Sequence, residues 1–163
     1  MYGRAKSVVA KLHNQNAYEE AAEAAAELLP GTGAVIEDPE GADEKTVAQA
    51  GADEITYTVV RENRNPPVGT VDDADTSPID VAAEQGSNVE TVGFNRHDHA
   101  RLRLSANASA SPEGNLAAWD ENGFITDEDG TVNGADAPTA FVGRIRYVED
   151  DAEEDDLAVV QFI

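Results

Sequence analysis

From residue 31 onward the chain repeats one pattern: a short apolar or alternating run, then a turn. The runs are AVIED (34–38), KTVAQA (45–50), EITYTVVREN (54–63), DVAAEQ (80–85), TVGF (91–94), ARLRLSA (100–106), NLAAWD (115–120), GFITD (123–127), TAFVGRIRYV (139–148) and LAVVQFI (157–163). Stretches such as DPEGAD, AGAD, RNPPVG and DDADTSP separate them, and clustered Gly, Pro, Asn and Asp are turn formers. In ARLRLSA, Leu102 and Leu104 fall on one face and Arg101 and Arg103 on the other, the period of a half-buried strand. Asn122-Gly123 lies between Trp119 and Ile125, the strongest short-range hairpin signal. DEDG (127–130) marks a second turn before Val132. Many short strands at this spacing predict a mainly β fold, an antiparallel sandwich or barrel-like domain.

The first thirty residues read differently. NAYEEAAEAAAELLPGTG offers Asn16 as an N-cap with Glu19 three positions on, as in a capping box. Ala is the best helix former, and Pro30-Gly31 would close the segment. The expectation is one short α-helix over 17–29, packed through Tyr18, Ala21, Ala22, Ala25, Leu28 and Leu29. Residues 1–30 are thus expected to form an arm and helix, and residues 31–163 a β domain.

Composition adds a salt regime. The chain has 163 residues, 33 acids against 11 bases and a formal charge of −22. Its three lysines are Lys6, Lys11 and Lys45. Such a surplus repels itself at low ionic strength, whereas near 1 M salt the Debye length falls to about 3 Å. An acid-rich, Lys-poor chain is therefore expected to work in concentrated salt, as in a halophile. The same charge argues against nucleic acid as a partner and against anionic membrane surfaces. No apolar run approaches the ~20 residues of a membrane span. The N-terminal stretch shows no apolar segment with a cleavage site, so no secretory signal is expected. The absence of Cys excludes disulfides and thiolate chemistry.

Residues 1–16 hold Arg4, Lys6 and Lys11 and almost no acid. They are a basic arm on a polyanion, suited to an acidic neighbour through Arg4, Lys6 and Lys11 with Val8, Val9 and Leu12, or else a plain chain terminus. Residues 149–156 carry seven acids in eight positions and predict a solvated or cation-collecting loop. Arg144 and Arg146 share a strand face and would meet either a neighbouring subunit or that loop. His97 and His99 stand at i and i+2, a spacing that brings ligands together on a strand, and Asp127 and Asp129 echo the start of a calcium loop without completing its pattern. These are weak metal candidates beside a simpler reading as polar turns. The expected cofactor set is empty apart from non-specific cations. No catalytic fingerprint occurs. Gly31-Thr32-Gly33 follows the expected helix, the reverse of the phosphate-binding order, and reads as a helix stop.

The C-terminal third resembles the small capsid decoration (cement, head-stabilising) proteins of tailed viruses. Their plan is a strand, a tight D-x-x-G hairpin, a spacer, an (F/I)-(V/I)-G-x-(A/I) segment and a closing V-x-V strand. Here the parts are Ala117-Ala118-Trp119, Asp120–Gly123, Phe141-Val142-Gly143-Arg144-Ile145 and Val159-Val160-Gln161-Phe162. LLPGTGAVIED resembles the opening strand, ITYTVVREN a central V-x-E-N segment, and NVETVGFNRHDHARLRLSANAS the strands between. The resemblance spans residues 28–163; the basic arm and Ala-rich segment depart from it. It implies a β-sandwich or β-tulip-like fold, no enzymatic activity, and a minor capsid protein on the outer surface of a shell, often trimeric and bound to the major capsid protein, here of a virus infecting haloarchaea. Two readings compete. A cellular β-type binding domain of a haloarchaeon would carry a signal or anchor. A small cupin-like metal enzyme would show a cavity gathering His97, His99 and a carboxylate.

Overall fold

The computed structural model describes residues 8–11, 18–38, 44–62, 78–149 and 156–163. The architecture is mainly β: eleven strands in two sheets and one 3₁₀ turn at Pro78–Asp80, with no α-helix among the described residues. The strands are β1 Val9–Lys11, β2 Tyr18–Ala24, β3 Ala34–Glu37, β4 Thr46–Gln49, β5 Thr58–Val60, β6 Asn88–Gly93, β7 His99–Arg103, β8 Leu116–Trp119, β9 Ile125–Asp127, β10 Gly143–Glu149 and β11 Leu157–Phe162. One sheet has six strands in the order β1-β7-β11-β10-β8-β9, the other five in the order β3-β4-β2-β6-β5. All strand pairs are antiparallel except β2 with β4.

The expected helix over 17–29 is not formed. Residues 18–24 are β2, flanked by β6 and β4 in the middle of the five-stranded sheet. Ala22 and Ala24 are buried while Ala21 and Glu23 are exposed. A period of two is therefore hidden in an Ala/Glu run whose helix preference amounts to less than about 1 kcal/mol per residue, small enough for sheet pairing to override. Ala22, Ala24 and Leu28 pack with Ala34, Val47, Val60 and Val89 in a core of their own. The expected N-cap Asn16 lies outside the described residues.

A larger core joins the two sheets. Val59, Val92 and Phe94 of the five-stranded side meet Ala100, Leu102, Trp119, Ile145, Val160 and Phe162 of the six-stranded side. Phe94 stacks on Phe162 at 5.1 Å, and Tyr57 meets the same ring edge-on at 5.8 Å, geometries that suit the aromatic quadrupole. Each sheet also curls. Gly33 bridges Val59 across the ends of the five-stranded sheet, and Leu104 bridges Ile125 across the six-stranded one. Neither sheet closes into a barrel.

The Gly31–Gly33 segment is no helix stop. It is where the chain passes against the other sheet. The Gly31 N–H donates to the Val60 carbonyl, its own carbonyl accepts from the Arg103 N–H, and the Gly33 N–H donates to the Gly123 carbonyl. Gly33 faces the fully buried Trp119 so closely that a Cβ would stand 2.7 Å from the indole ring and 2.9 Å from the Ala50 Cβ. Trp119 has little room to yield, because its Nε1–H donates to the Thr56 carbonyl at 3.1 Å. Gly33→Ala is expected to destabilise the fold by about 1–3 kcal/mol, the usual range for overpacking, read as a lowered denaturant midpoint at unchanged slope. An unchanged midpoint would show that the two sheets can separate there at no cost.

Candidate interaction surface

Outside the cores, the described residues carry exposed charge and several turns built on aspartates, two of them on the β8–β9 side. Asp120 caps the β8–β9 hairpin. Its Oδ1 accepts from the N–H groups of Asn122 and Phe124, and its Oδ2 from the Ser105 hydroxyl at 2.6 Å. Gly123 sits at φ 67°, the left-handed region that Asn-Gly turns supply. Asp127 is buried and accepts from the Ser109 N–H, the Ser109 hydroxyl and the Asn115 amide, each at 2.7 Å. Burial alone would raise its pKa, but these donors outweigh the desolvation and hold the carboxyl below its ordinary value. Asp129 is exposed and shares the Asn115 amide at 3.1 Å. Both carboxylates thus hold the 105–130 loops together.

The histidines do not converge. His97 lies in a turn before β7, exposed, at φ 74°, with its N–H donating to the Phe162 carbonyl. His99 is the first residue of β7, opposite Lys11 on one side and Gln161 on the other. The i, i+2 geometry fails because the strand begins only at the second histidine. Between them the buried Asp98 accepts the Asn95 N–H at 2.8 Å and closes the turn. Among the described residues no three His, Cys, Asp or Glu side chains gather as a metal site.

The expected contact residues divide. Arg4, Lys6 and Leu12 lie outside the described residues. Val8 is fully buried in the inter-sheet core and so is removed from any outer contact. Its N–H donates to Glu62 Oε2 at 3.0 Å and its carbonyl accepts from the Arg101 N–H at 2.6 Å. Val9 and Lys11 form β1 against β7.

Arg144 and Arg146 are both exposed on β10. The pairing of β10 with β11 shifts between Ile145 and Tyr147: Ile145 opposes Val160, Tyr147 opposes Val159, and Arg146 is the extra residue. Such a bulge bends the strand and re-aims side chains. It exposes Arg146 and Tyr147 consecutively, with Tyr147 45% accessible. The Arg144 guanidinium donates to the Gly114 carbonyl, whereas the Arg146 guanidinium has no hydrogen-bond or ion-pair partner among the described residues. Most of the acidic 149–156 loop lies outside the described residues; at its start Glu149 pairs with Arg101 at 3.3 Å.

Of the remaining described arginines, Arg103, which alternation sets opposite Leu102 and Leu104, is buried. It is 2% exposed. Its Nε donates to the Pro30 carbonyl at 2.9 Å, and its Nη2 to the Ile79 carbonyl at 2.5 Å and to Asp80 at 3.2 Å. It ties β7 to the 3₁₀ turn and to the segment after β2.

No family model matches the chain, and its sequence matches no curated protein. Among solved structures it is similar to the N base of the head fiber protein gp8.5 of bacteriophage phi29, with a TM-score of 0.54 and 11% identity, over 90% of this chain and 94% of that one. At that identity the likeness is one of fold alone.

Proposed function

We propose that the chain is a virion structural protein, a minor capsid or decoration protein that binds the outer surface of a capsid shell and works in concentrated salt. The observation that carries this is the two-sheet fold, alike over nearly the full length of both chains to a phage head fiber base. The strand-and-turn grammar of residues 28–163 supports the same class. A charge of −22 keeps a particle exterior soluble in brine, and binding through many weak contacts on a symmetric lattice gains strength from avidity. The partners are the major capsid protein and further copies of this chain, as a trimer. The basic residues Arg4 and Lys6 are the shell contact, and cations associate with the acidic surface without a dedicated site.

The test separates attachment from folding. Deleting residues 1–7 is expected to abolish binding to shells that lack the protein while leaving the thermal unfolding midpoint unchanged. Extending the deletion through residue 14 removes Val8 and β1 as well, and is expected to lower the midpoint. Full occupancy by the shorter deletion would refute the arm as anchor. Failure of the intact chain to bind such shells would refute the capsid assignment itself.

A further inference from the structure

We propose that the arginine face of β10 docks a second copy of this chain, head to tail, on the acidic end of its five-stranded sheet. An arginine pair and a carboxylate pair lie exposed on different sheets. On the six-stranded sheet, Arg144, Arg146 and Tyr147 stand exposed together on β10, the last two made neighbours by the bulge, with the exposed carboxylates of Glu113 and Glu128 accepting from the Val148 and Leu116 N–H groups at their flanks. Arg and Tyr are the side chains most enriched at interface centres, and Arg146 has no partner among the described residues of its own chain. On the five-stranded sheet and its connecting segments, the exposed ionisable side chains among the described residues include Glu23, Glu27, Glu37, Asp38, Glu44 and Glu84 against Lys45. Glu23, Glu44 and Lys45 line an open groove of about 500 Å³ beside β2, with Ala21, Ala22, Gly86 and Asn88. The groove opens where β2 pairs with β4 only at Glu23 and Ala24. Its two carboxylates outnumber its one ammonium, which leaves the groove net negative and open to a guanidinium.

The occupant follows from charge complementarity. An acidic protein surface suits the β10 face, and this chain carries one on its other sheet. Because the two surfaces differ, the contact is heterologous, and such contacts close into rings when the rotation permits. Guanidinium–carboxylate pairs in direct contact, shielded by the Tyr147 ring, are screened far less by salt than exposed charges at a distance. The proposal deepens the reading of the chain as an oligomeric virion component by naming the self-contact.

The experiment uses the free, full-length chain with no shell present, so loss of self-association and loss of capsid attachment read out separately. Light scattering over a concentration series in about 2–3 M salt, where long-range repulsion is screened, gives the assembly state. Circular dichroism checks folding. The intact chain is expected to form a closed oligomer. Arg146→Glu, or Glu23→Arg with Glu44→Arg, is expected to weaken association about tenfold or more, in line with couplings measured for close interfacial charge pairs. Combining both sides is expected to restore it. Arg146→Gln, which deletes the charge without reversing it, should give a smaller loss in the same direction and serves where a reversal misfolds. A monomeric intact chain, reversed variants that associate as before, or no recovery in the combination would each overturn the proposal.

Discussion

Replacing Arg103 by Ala is expected to lower the unfolding free energy by about 3–5 kcal/mol, the cost of breaking a buried ionic network from one side. The guanidinium is nearly inaccessible and joins β7 to two other chain segments through three acceptors: the Pro30 carbonyl, and the Ile79 carbonyl and Asp80 carboxylate of the 3₁₀ turn. Truncation leaves those acceptors short of donors and opens a void beneath them. Arg103→Met refills the volume without the donors and is expected to lose less than Ala. Arg103→Lys is expected to fall short of the native side chain, because one ammonium cannot copy a planar fork with donors at both Nε and Nη2. Urea titration in high salt, with circular dichroism, measures all three. A loss below about 1 kcal/mol for Ala, the size of an ordinary surface change, would mean that water replaces the arginine and that the 3₁₀ turn is held by other means.

The second large effect concerns solvent. Dialysis from about 2 M salt to about 0.1 M lengthens the Debye screening length from roughly 2–3 Å to 10 Å. Carboxylates a side chain apart then repel one another across a surface carrying 22 more acids than bases. Loss of the β circular dichroism signal, or dissociation to expanded monomers, is the expected outcome. The cause is separable from general water withdrawal: an uncharged osmolyte at matched osmolality strengthens burial but screens nothing, and is expected to rescue far less than sodium or potassium chloride. Retention of structure in low salt would remove the halophile assignment. Equal rescue by the osmolyte would move the cause from charge repulsion to a weak core, in a chain with aromatics at only 6% of its residues.

Much of the six-stranded sheet was legible because its information is local. LAVVQFI, NLAAWD and GFITD are bounded by turn residues and became β11, β8 and β9, and Asn122-Gly123 became the hairpin turn between the last two. β2 was not legible. Alternation between Ala and Glu looks alike on a helix and a strand when most positions are Ala, and the deciding partners, β6 and β4, come from residues 88–93 and 46–49. Arg103 misled for a related reason. Its strand alternates as a half-exposed strand should, but Pro30 and Ile79 arrive from distant sequence to cover the polar side. At the candidate surface, Arg144 and Arg146 were visible from strand period alone. Tyr147 was not, since simple alternation puts it on the opposite side from its neighbour. Only the bulge, a feature of pairing with β11 and of no local motif, exposes both. His97 and His99 failed the other way: the strand starts one residue too late for their period to apply.

The strand order also sets a schedule for folding. In the six-stranded sheet β11 lies between β7 and β10, and β1 pairs with β7 across most of the first hundred residues. The five-stranded sheet uses only β2 to β6, all earlier in the chain than β7. During synthesis the acidic sheet can assemble first, while the sheet bearing Arg144 and Arg146 cannot be completed until β11 has been made. Long-range pairing of this kind slows folding. Here it also orders events in time: the surface bearing Glu23 and Glu44 is ready early, and the Arg144–Arg146 face proposed to engage it matures only on a finished subunit.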